Sequence, residues 1–344
     1  MRNSVRYFIL FLDSLLNKTT GRFRLVSNGC SPEEQRYMAE LCGCQERLEF
    51  FSIPTNSSWP HSDVLNYLQA RTQDPYFGFM DSDIFAVEDF VADIEENIEN
   101  SIGLFSGTPL WVKSEEVIFR KGFKFLLGRY NQTDQDLVLG NTYLAVYNNE
   151  VLSNVIQSTG VGFDSRGWHE IPGHIQSNLE ELGMAAERYD TGKLLNLMLL
   201  YRHCQLKNIE LSSMYHIGGA GFQGVCHKTK KGRRYRFAEK VNNRYFQKVV
   251  AQLRHYRTFK KFRKKYKYAS KIERDLNFNL RSFRRNPVRH YFLHMLDAMI
   301  HEKQMPELLI TGDGEIDYKV KMAKTHLMEL YAARKTWRGT DGVS

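Results

Sequence analysis

Up to residue 110 the chain alternates short apolar runs of strand length with stretches of helical periodicity, and few folds accept that pattern. Residues 4–17 carry apolar side chains at helical spacing and stop at Lys18-Thr19-Thr20-Gly21. Residues 23–27 read as a strand closed by Asn28-Gly29. Ser31-Pro32-Glu33-Glu34 then reads as a helix start, with Ser at the cap and Pro in the first turn. A strand over 48–53 ends at Pro54, a helix over 61–71 follows, and the apolar run 76–80 leads straight into Asp81. Strands separated by helices in this way predict right-handed β-α-β units, hence an α/β, Rossmann-like fold with a mostly parallel sheet flanked by helices. Ligands in such sheets sit at the carboxyl ends of strands, where Asp81-Ser82-Asp83 falls. Further strands are expected over 102–105, 141–147 and 209–215, a structured loop over 162–173, and a helix over 191–201. Asn148-Asn149 reads as a turn.

An Asp-x-Asp pattern is weak evidence alone, because at about one aspartate in twenty a chain of this length holds roughly one by chance. Asp134-Gln135-Asp136 is such a case: it lies in polar surroundings with no apolar strand before it and reads as a solvated turn. Asp81 and Asp83 instead follow Tyr76-Phe77-Gly78-Phe79-Met80 and precede Ile84-Phe85. Two carboxylates forced against an apolar sheet need compensation. A divalent cation bridging to phosphate supplies it through the hard oxygen ligands that Mg2+ and Mn2+ prefer. Capping of a following helix is the purely structural use of the same pair.

Three later segments follow in order: Gly162-Phe163-Asp164, then Tyr189-Asp190-Thr191-Gly192-Lys193-Leu194-Leu195, then Tyr215-His216-Ile217-Gly218-Gly219. With Phe77-Gly78-Phe79-Met80-Asp81-Ser82-Asp83 they resemble the family 2-like nucleotide-sugar glycosyltransferases of the GT-A type, over roughly residues 5 to 225. The resemblance implies a GT-A catalytic domain over 1–226, its first nucleotide-binding strand short or absent; the residues beyond it read as a basic, mainly helical region over 227–344. It implies that Asp81, Ser82 and Asp83 bind the donor, a UDP- or GDP-sugar, with Mn2+ or Mg2+ held by Asp81, Asp83 and His216. His61 and Asn66 lie on the helix before the strand, where such enzymes contact donor. Asp190 matches the acid that serves as base, while Asp164 and Glu170 compete for that role. Trp168 and His169 are candidates to line an acceptor sugar, since aromatic faces stack on sugar rings.

The reaction so implied is transfer of a sugar, with inversion, to a hydroxyl of a glycan or lipid-linked acceptor in surface polysaccharide or glycolipid synthesis. A base deprotonates that hydroxyl and a cation stabilises the departing diphosphate. Two departures stand out. Tyr189-Asp190 replaces the usual Glu-Asp pair, and Arg2-Asn3-Ser4-Val5 occupies the place of the family's first strand, which leaves the base of the donor open.

Charge divides the chain. Residues 1–227 hold 18 Lys and Arg against 28 Asp and Glu, residues 228–290 hold 23 against 3, and the last 54 hold 7 against 8. An acidic body thus carries a strongly basic segment, which points to an anionic partner surface. Within it Tyr256, Phe259, Phe262 and Tyr266 fall on one helical stripe flanked by cations. Such a helix suits an anionic membrane surface. The same stripe would also serve to dock on the acidic body or on a second copy of the chain, and nucleic acid fits it less well. No apolar run approaches the ~20 residues of a membrane span. The five cysteines show no paired CxxC spacing and read as reduced thiols. A cytoplasmic protein, peripheral at the inner face of the membrane, is the corresponding expectation.

Two other classes share parts of this pattern. Phosphoryl or nucleotidyl transfer with Mg2+ also uses paired aspartates, but Phe85 stands where a haloacid-dehalogenase-type phosphatase wants Thr or Val, and no P-loop is present. A non-catalytic basic adaptor on a degenerate transferase fold is the remaining alternative.

Overall fold

The computed structural model of the chain describes residues 5–55, 57–106, 118–119, 125–126, 132–133, 136–140, 143–217 and 287–340. Helix α1 (Val5–Lys18) leads to β1 (Phe23–Ser27), α2 (Pro32–Gly43), β2 (Leu48–Ser52), α3 (His61–Gln69), β3 (Tyr76–Met80), β4 (Ile84–Ala86), α4 (Val91–Ile98) and β5 (Gly103–Ser106). The short strands β6 (Ile118–Phe119), β7 (Phe125–Leu126) and β8 (Gln132–Thr133) precede β9 (Leu144–Asn148), α5 (Asn149–Thr159) and β10 (Arg166–Gly167). A 3-10 turn at Trp168–Glu170, α6 (Gly173–Glu181), β11 (Arg188–Tyr189), α7 (Lys193–Tyr201), β12 (Leu206–Ile209) and β13 (Met214–His216) follow. Helices α8 (Pro287–Ile300) and α9 (Gly314–Thr340) complete the described chain.

Local chemistry sets several of these boundaries. At the start of α2, Glu34 N donates to Ser31 Oγ at 3.2 Å and Ser31 N to Glu34 Oε2 at 3.1 Å, a reciprocal cap stabilising the helix by ~1 kcal/mol. The expected turn at Asn148-Asn149 is instead a helix start. Asn148 Oδ1 accepts from Val151 N, and Asn149 Nδ2 donates to the carbonyls of Thr72 and Asp74. The strand expected over 209–215 is also revised. It is two strands, β12 and β13, because the Ser213 carbonyl accepts from Val87 N and Glu88 N and redirects the chain toward β4.

The main sheet has the order β12-β5-β9-β3. β12 runs parallel to β5, while β9 is antiparallel to both β5 and β3. Three of its four strands therefore point one way, as the alternation predicts, and β9 alone is reversed. β1 and β2 form a separate parallel pair. The reversal matters for the site, because it brings the start of β9 to the carboxyl end of β3.

One core cluster joins Phe77, Phe105, Ala145 and Tyr147 of the main sheet to Leu152 of α5 and Leu194–Leu199 of α7. A second cluster joins Phe11 of α1 and Phe85 of β4 to Phe292 and Leu296 of α8 and Val320 and Leu327 of α9. Phe85 is fully buried and stacked between Phe11, at 6.0 Å, and Tyr215 of β13, at 5.4 Å. Each such aromatic pair adds about 0.5–1.5 kcal/mol to the burial itself. Among the described residues no helix is long and apolar enough to cross a membrane. The basic aromatic stripe of Tyr256 to Tyr266 lies outside the described residues.

Candidate metal centre

β3 delivers Asp81 to the carboxyl end of the main sheet, where Asp81 N donates to the Tyr143 carbonyl at 2.7 Å. The chain turns through Ser82, half-buried like Asp81, and re-enters as β4. β13 pairs antiparallel with β4, placing His216 opposite Ile84 and Tyr215 opposite Phe85. Ile217 N closes the pairing by donating to the Asp83 carbonyl at 3.1 Å. Two apolar strands thus carry an imidazole to the carboxylate turn. His216 Nε2 lies 3.1 Å from Asp83 Oδ1 and 3.5 Å from Asp81 Oδ2. The Asp83 side chain is 8% exposed against 36% for Asp81, so the inner carboxylate depends most on compensation from the protein.

Tyr143 completes this centre. Its ring stacks on His216 at 4.3 Å and 24°, and it is buried. Burial, followed by the charges of Asp81 and Glu210, pushes its phenol well above the ordinary tyrosine range, so it stays neutral. For His216, burial disfavours the charged imidazole, but Asp83 and Asp81 outweigh it and raise it to about 9. The cluster is thus arranged to hold a positive charge.

Fit to a divalent cation can be judged from the donors. One ligand atom from each of Asp81, Asp83 and His216 lies within 4.8 Å of the others. Two carboxylate oxygens and one imidazole nitrogen suit Mn2+ and Mg2+ far better than a thiolate-seeking metal. Three protein ligands also leave coordination positions for ligand oxygens. The residues present fit the group.

The acceptor-side candidates gather around β10 and β11, which pair antiparallel with Arg166 opposite Tyr189. Phe163 packs edge-on against Phe79 of β3 at 5.7 Å, and its carbonyl accepts from Gly192 N at 2.9 Å. Asp164 and Asp190 therefore lie on adjoining segments beside the strand that delivers Asp81. Asp164 is held from two directions. Asn66 Nδ2 donates to its Oδ1 at 3.0 Å, and Arg166 donates to its Oδ2 at 3.3 Å. Asn66 Oδ1 also accepts from Phe163 N at 2.8 Å, and a Cβ on Gly162 would sit 2.4 Å from that oxygen. Asn66 thus fastens α3 to the 162–164 loop.

Glu170 Oε2 accepts from Gly167 N at 2.5 Å, and this bond holds its carboxyl below the usual range. Asp190 Oδ1 accepts from Thr191 N at 2.9 Å, and its carbonyl accepts from Lys193 N at 3.0 Å, so it begins the turn that leads into α7. His61, exposed at the start of α3, meets Phe79 edge-on at 6.2 Å. Trp168 is half-buried against the main core, and His169 beside it is exposed. Tyr143, Lys193 and Asn196 are absent from the sequence-based candidates. Lys193 falls inside the 189–195 segment but has no role assigned there, and no motif marks Tyr143 or Asn196, because their contacts are tertiary. Of the second Asp-x-Asp, Asp136 is exposed with φ of 58°, and Asp134 lies outside the described residues.

No protein-family model and no curated protein sequence matches the chain. Among solved structures it is similar to the glycosyltransferase GlyE of Streptococcus pneumoniae TIGR4, at 10% identity over 60% of this chain and 42% of that one, with a TM-score of 0.34. It is similar to residues 1–349 of S. aureus TarS, at 13% identity over 95% of this chain and 89% of that one, with a TM-score of 0.38. It is also similar to the mannosyltransferase PcManGT of Pyrobaculum calidifontis, solved with GDP-Man and Mn2+, at 11% identity over 68% and 62% of the two chains and a TM-score of 0.33. The chain spans less than half the length of GlyE. Likeness at this level leaves the chemistry to the residues themselves.

Proposed function

We propose that the chain is a metal-dependent glycosyltransferase that moves a sugar from a nucleotide-diphosphate sugar to a hydroxyl of a glycan or lipid-linked acceptor, with inversion. The observation that carries this reading is the convergence of Asp81, Asp83 and His216 at the carboxyl end of β3. When bound, Mn2+ or Mg2+ would neutralise charge on the departing diphosphate. Asp83 and His216 would anchor the cation from the buried side, and Asp81, more exposed, would face the donor.

Asp190 is the base in this proposal. Asp164 is already engaged by Asn66 and Arg166, and Glu170 is weakened as a base by its bond from Gly167 N. Asp190, half-buried in the turn before α7, would take the proton of an acceptor hydroxyl, and Trp168 and His169 would line the acceptor. The basic segment 228–290 would hold the protein at an anionic membrane surface where lipid-linked acceptors reside.

A thermal-shift panel of UDP- and GDP-sugars with Mn2+ tests the reading. One donor should raise the melting temperature, EDTA should abolish the shift, and Asp83→Asn should lose it. No shift with any donor, or a shift that Asp83→Asn retains, overturns it. Flotation with anionic liposomes at low salt tests the membrane proposal, and failure to float removes it.

A further inference from the structure

Buried polar side chains on α7 have no place in the chemistry proposed above, although they occupy the helix whose leading turn Asp190 begins. Lys193, 3% exposed, donates from Nζ to the carbonyl of Gly140. One turn on, Asn196, 2% exposed, donates from Nδ2 to the carbonyl of Leu139. The Asn196 amide is fixed at its other end, where Tyr147 Oη donates to its Oδ1 at 2.9 Å. Burying an ammonium and an amide in an apolar cluster is costly, and here the cost is met by gripping one short stretch of backbone.

That stretch fits its seat closely. Val138 and Leu139 are buried, and Gly140 has φ of 72°, a backbone conformation that side chains rarely adopt. A Cβ on Gly140 would lie 2.5 Å from Asn196 Nδ2 and 2.8 Å from the Phe105 ring. Three residues later comes Tyr143, whose carbonyl receives Asp81 N and whose ring covers His216. Gly140, held by the buried side chains of α7, is therefore three positions in sequence from Tyr143 at the carboxylate–imidazole cluster.

From this juxtaposition we infer that Lys193 and Asn196 are positioning residues for the metal centre. They fix the strap at 138–140 and so hold Tyr143 against His216 and Asp81. The inference rests on the metal reading above for its functional meaning, but its geometric content stands apart from it. One helix start then serves both halves of the site. Asp190 faces the acceptor side, and Lys193, three residues on, sets the register of the donor side.

The test reads His216 directly. Stacking under Tyr143 shifts the imidazole Cε1–H resonance by ring current, and Tyr143→Leu defines its unstacked position. In the metal-free protein, Lys193→Met and Gly140→Ala should each move that resonance toward the Tyr143→Leu value. In parallel, Mn2+ alone is titrated by its free-ion electron paramagnetic resonance signal. Both variants should bind it roughly two- to thirtyfold more weakly, the range expected for a residue acting through intervening contacts. A Lys193→Met protein with the wild-type His216 resonance and Mn2+ affinity, changed only in urea midpoint, overturns the inference and leaves Lys193 a core residue. If Asp83→Asn binds Mn2+ as tightly as wild type, the metal reading fails instead, and the resonance comparison still decides whether Lys193 positions Tyr143.

Discussion

At the end of β3, Asp81 and Asp83 converge on an imidazole supplied from 133 residues further along the chain. Beside β10 and β11, Glu170 and Asp190 accept bonds from backbone within three residues, and Asp164 is shared between Asn66 and Arg166. In the first region two carboxylates are brought together and aimed at one imidazole, an arrangement that a positive charge stabilises. In the second, Glu170 and Asp190 are each fixed by one nearby backbone donor and Asp164 by two side chains, one of them distant in sequence. The contrast teaches that a metal site is recognised by convergence, whereas a proton-transfer site is recognised by how little its acid is already engaged.

The sharpest way to break this comparison is Asp83→Ala. Loss of the inner ligand should remove Mn2+ binding and lower transfer by several kcal/mol in the barrier, roughly a thousandfold or more. Measurement of kcat with saturating donor checks it, and residual metal-dependent activity near wild type would place the cation elsewhere. Asp190→Asn should lower kcat by roughly a hundred- to ten-thousandfold while leaving Mn2+ affinity intact. An equal loss from Asp164→Asn with Asp190→Asn nearly silent would transfer the base role.

Phe85→Ala probes the apolar support of the first region. Opening the stack between Phe11 and Tyr215 should cost about 3–5 kcal/mol in urea denaturation. Glu170→Gln sits at the other end of the scale. It should reduce activity less than roughly tenfold, because its bond from Gly167 N survives in an amide acceptor.

A further expected effect concerns pH. Burial lowers Lys193 to about 7, opposed by Asp190, from the ordinary 10.5. Below the folded value the lysine is protonated in both states. Between about 7 and 10.5 the unfolded chain keeps a proton that the folded protein has released, so this group makes stability rise with pH across that window. The difference in urea midpoint between wild type and Lys193→Met should therefore shift in favour of wild type from pH 7 to pH 9.5. A flat difference would mean that Lys193 keeps an ordinary affinity for its proton.

Much of the carboxylate–imidazole centre was legible in the sequence. Tyr76–Met80 is an uninterrupted apolar run, so its end and the carboxylates beyond it could be placed, and Ser31 and Glu34 announced α2 in a local pattern. What the sequence could not show depends on partners distant along the chain. Nothing near Asn148 says that Asn149 will bond the 72–74 turn. Nothing near residue 209 says that Ser213 will accept from Val87 and Glu88 and split one strand into two. Tyr143 was hidden for the same reason, since its importance follows from the reversed direction of β9. The acids beside β10 and β11 were legible only as a group of candidates, because Asn66, Arg166 and Gly167 decide which carboxylates are engaged.

The ladder between β4 and β13 also sets the order in which the protein can mature. Its closure links residues far apart in the sequence, Ile84 with His216 and Ala86 with Met214, and the same strands pack through Phe85 and Tyr215 into the cluster that includes α8 and α9. A chain still emerging from the ribosome can form α2, β1 and β2 from near neighbours. It cannot bring His216 to Asp83 until β13 has been made, and that late, entropically expensive contact is slow to form. The three-residue cluster is therefore assembled only after β13 has been made, and a partly synthesised chain lacks it.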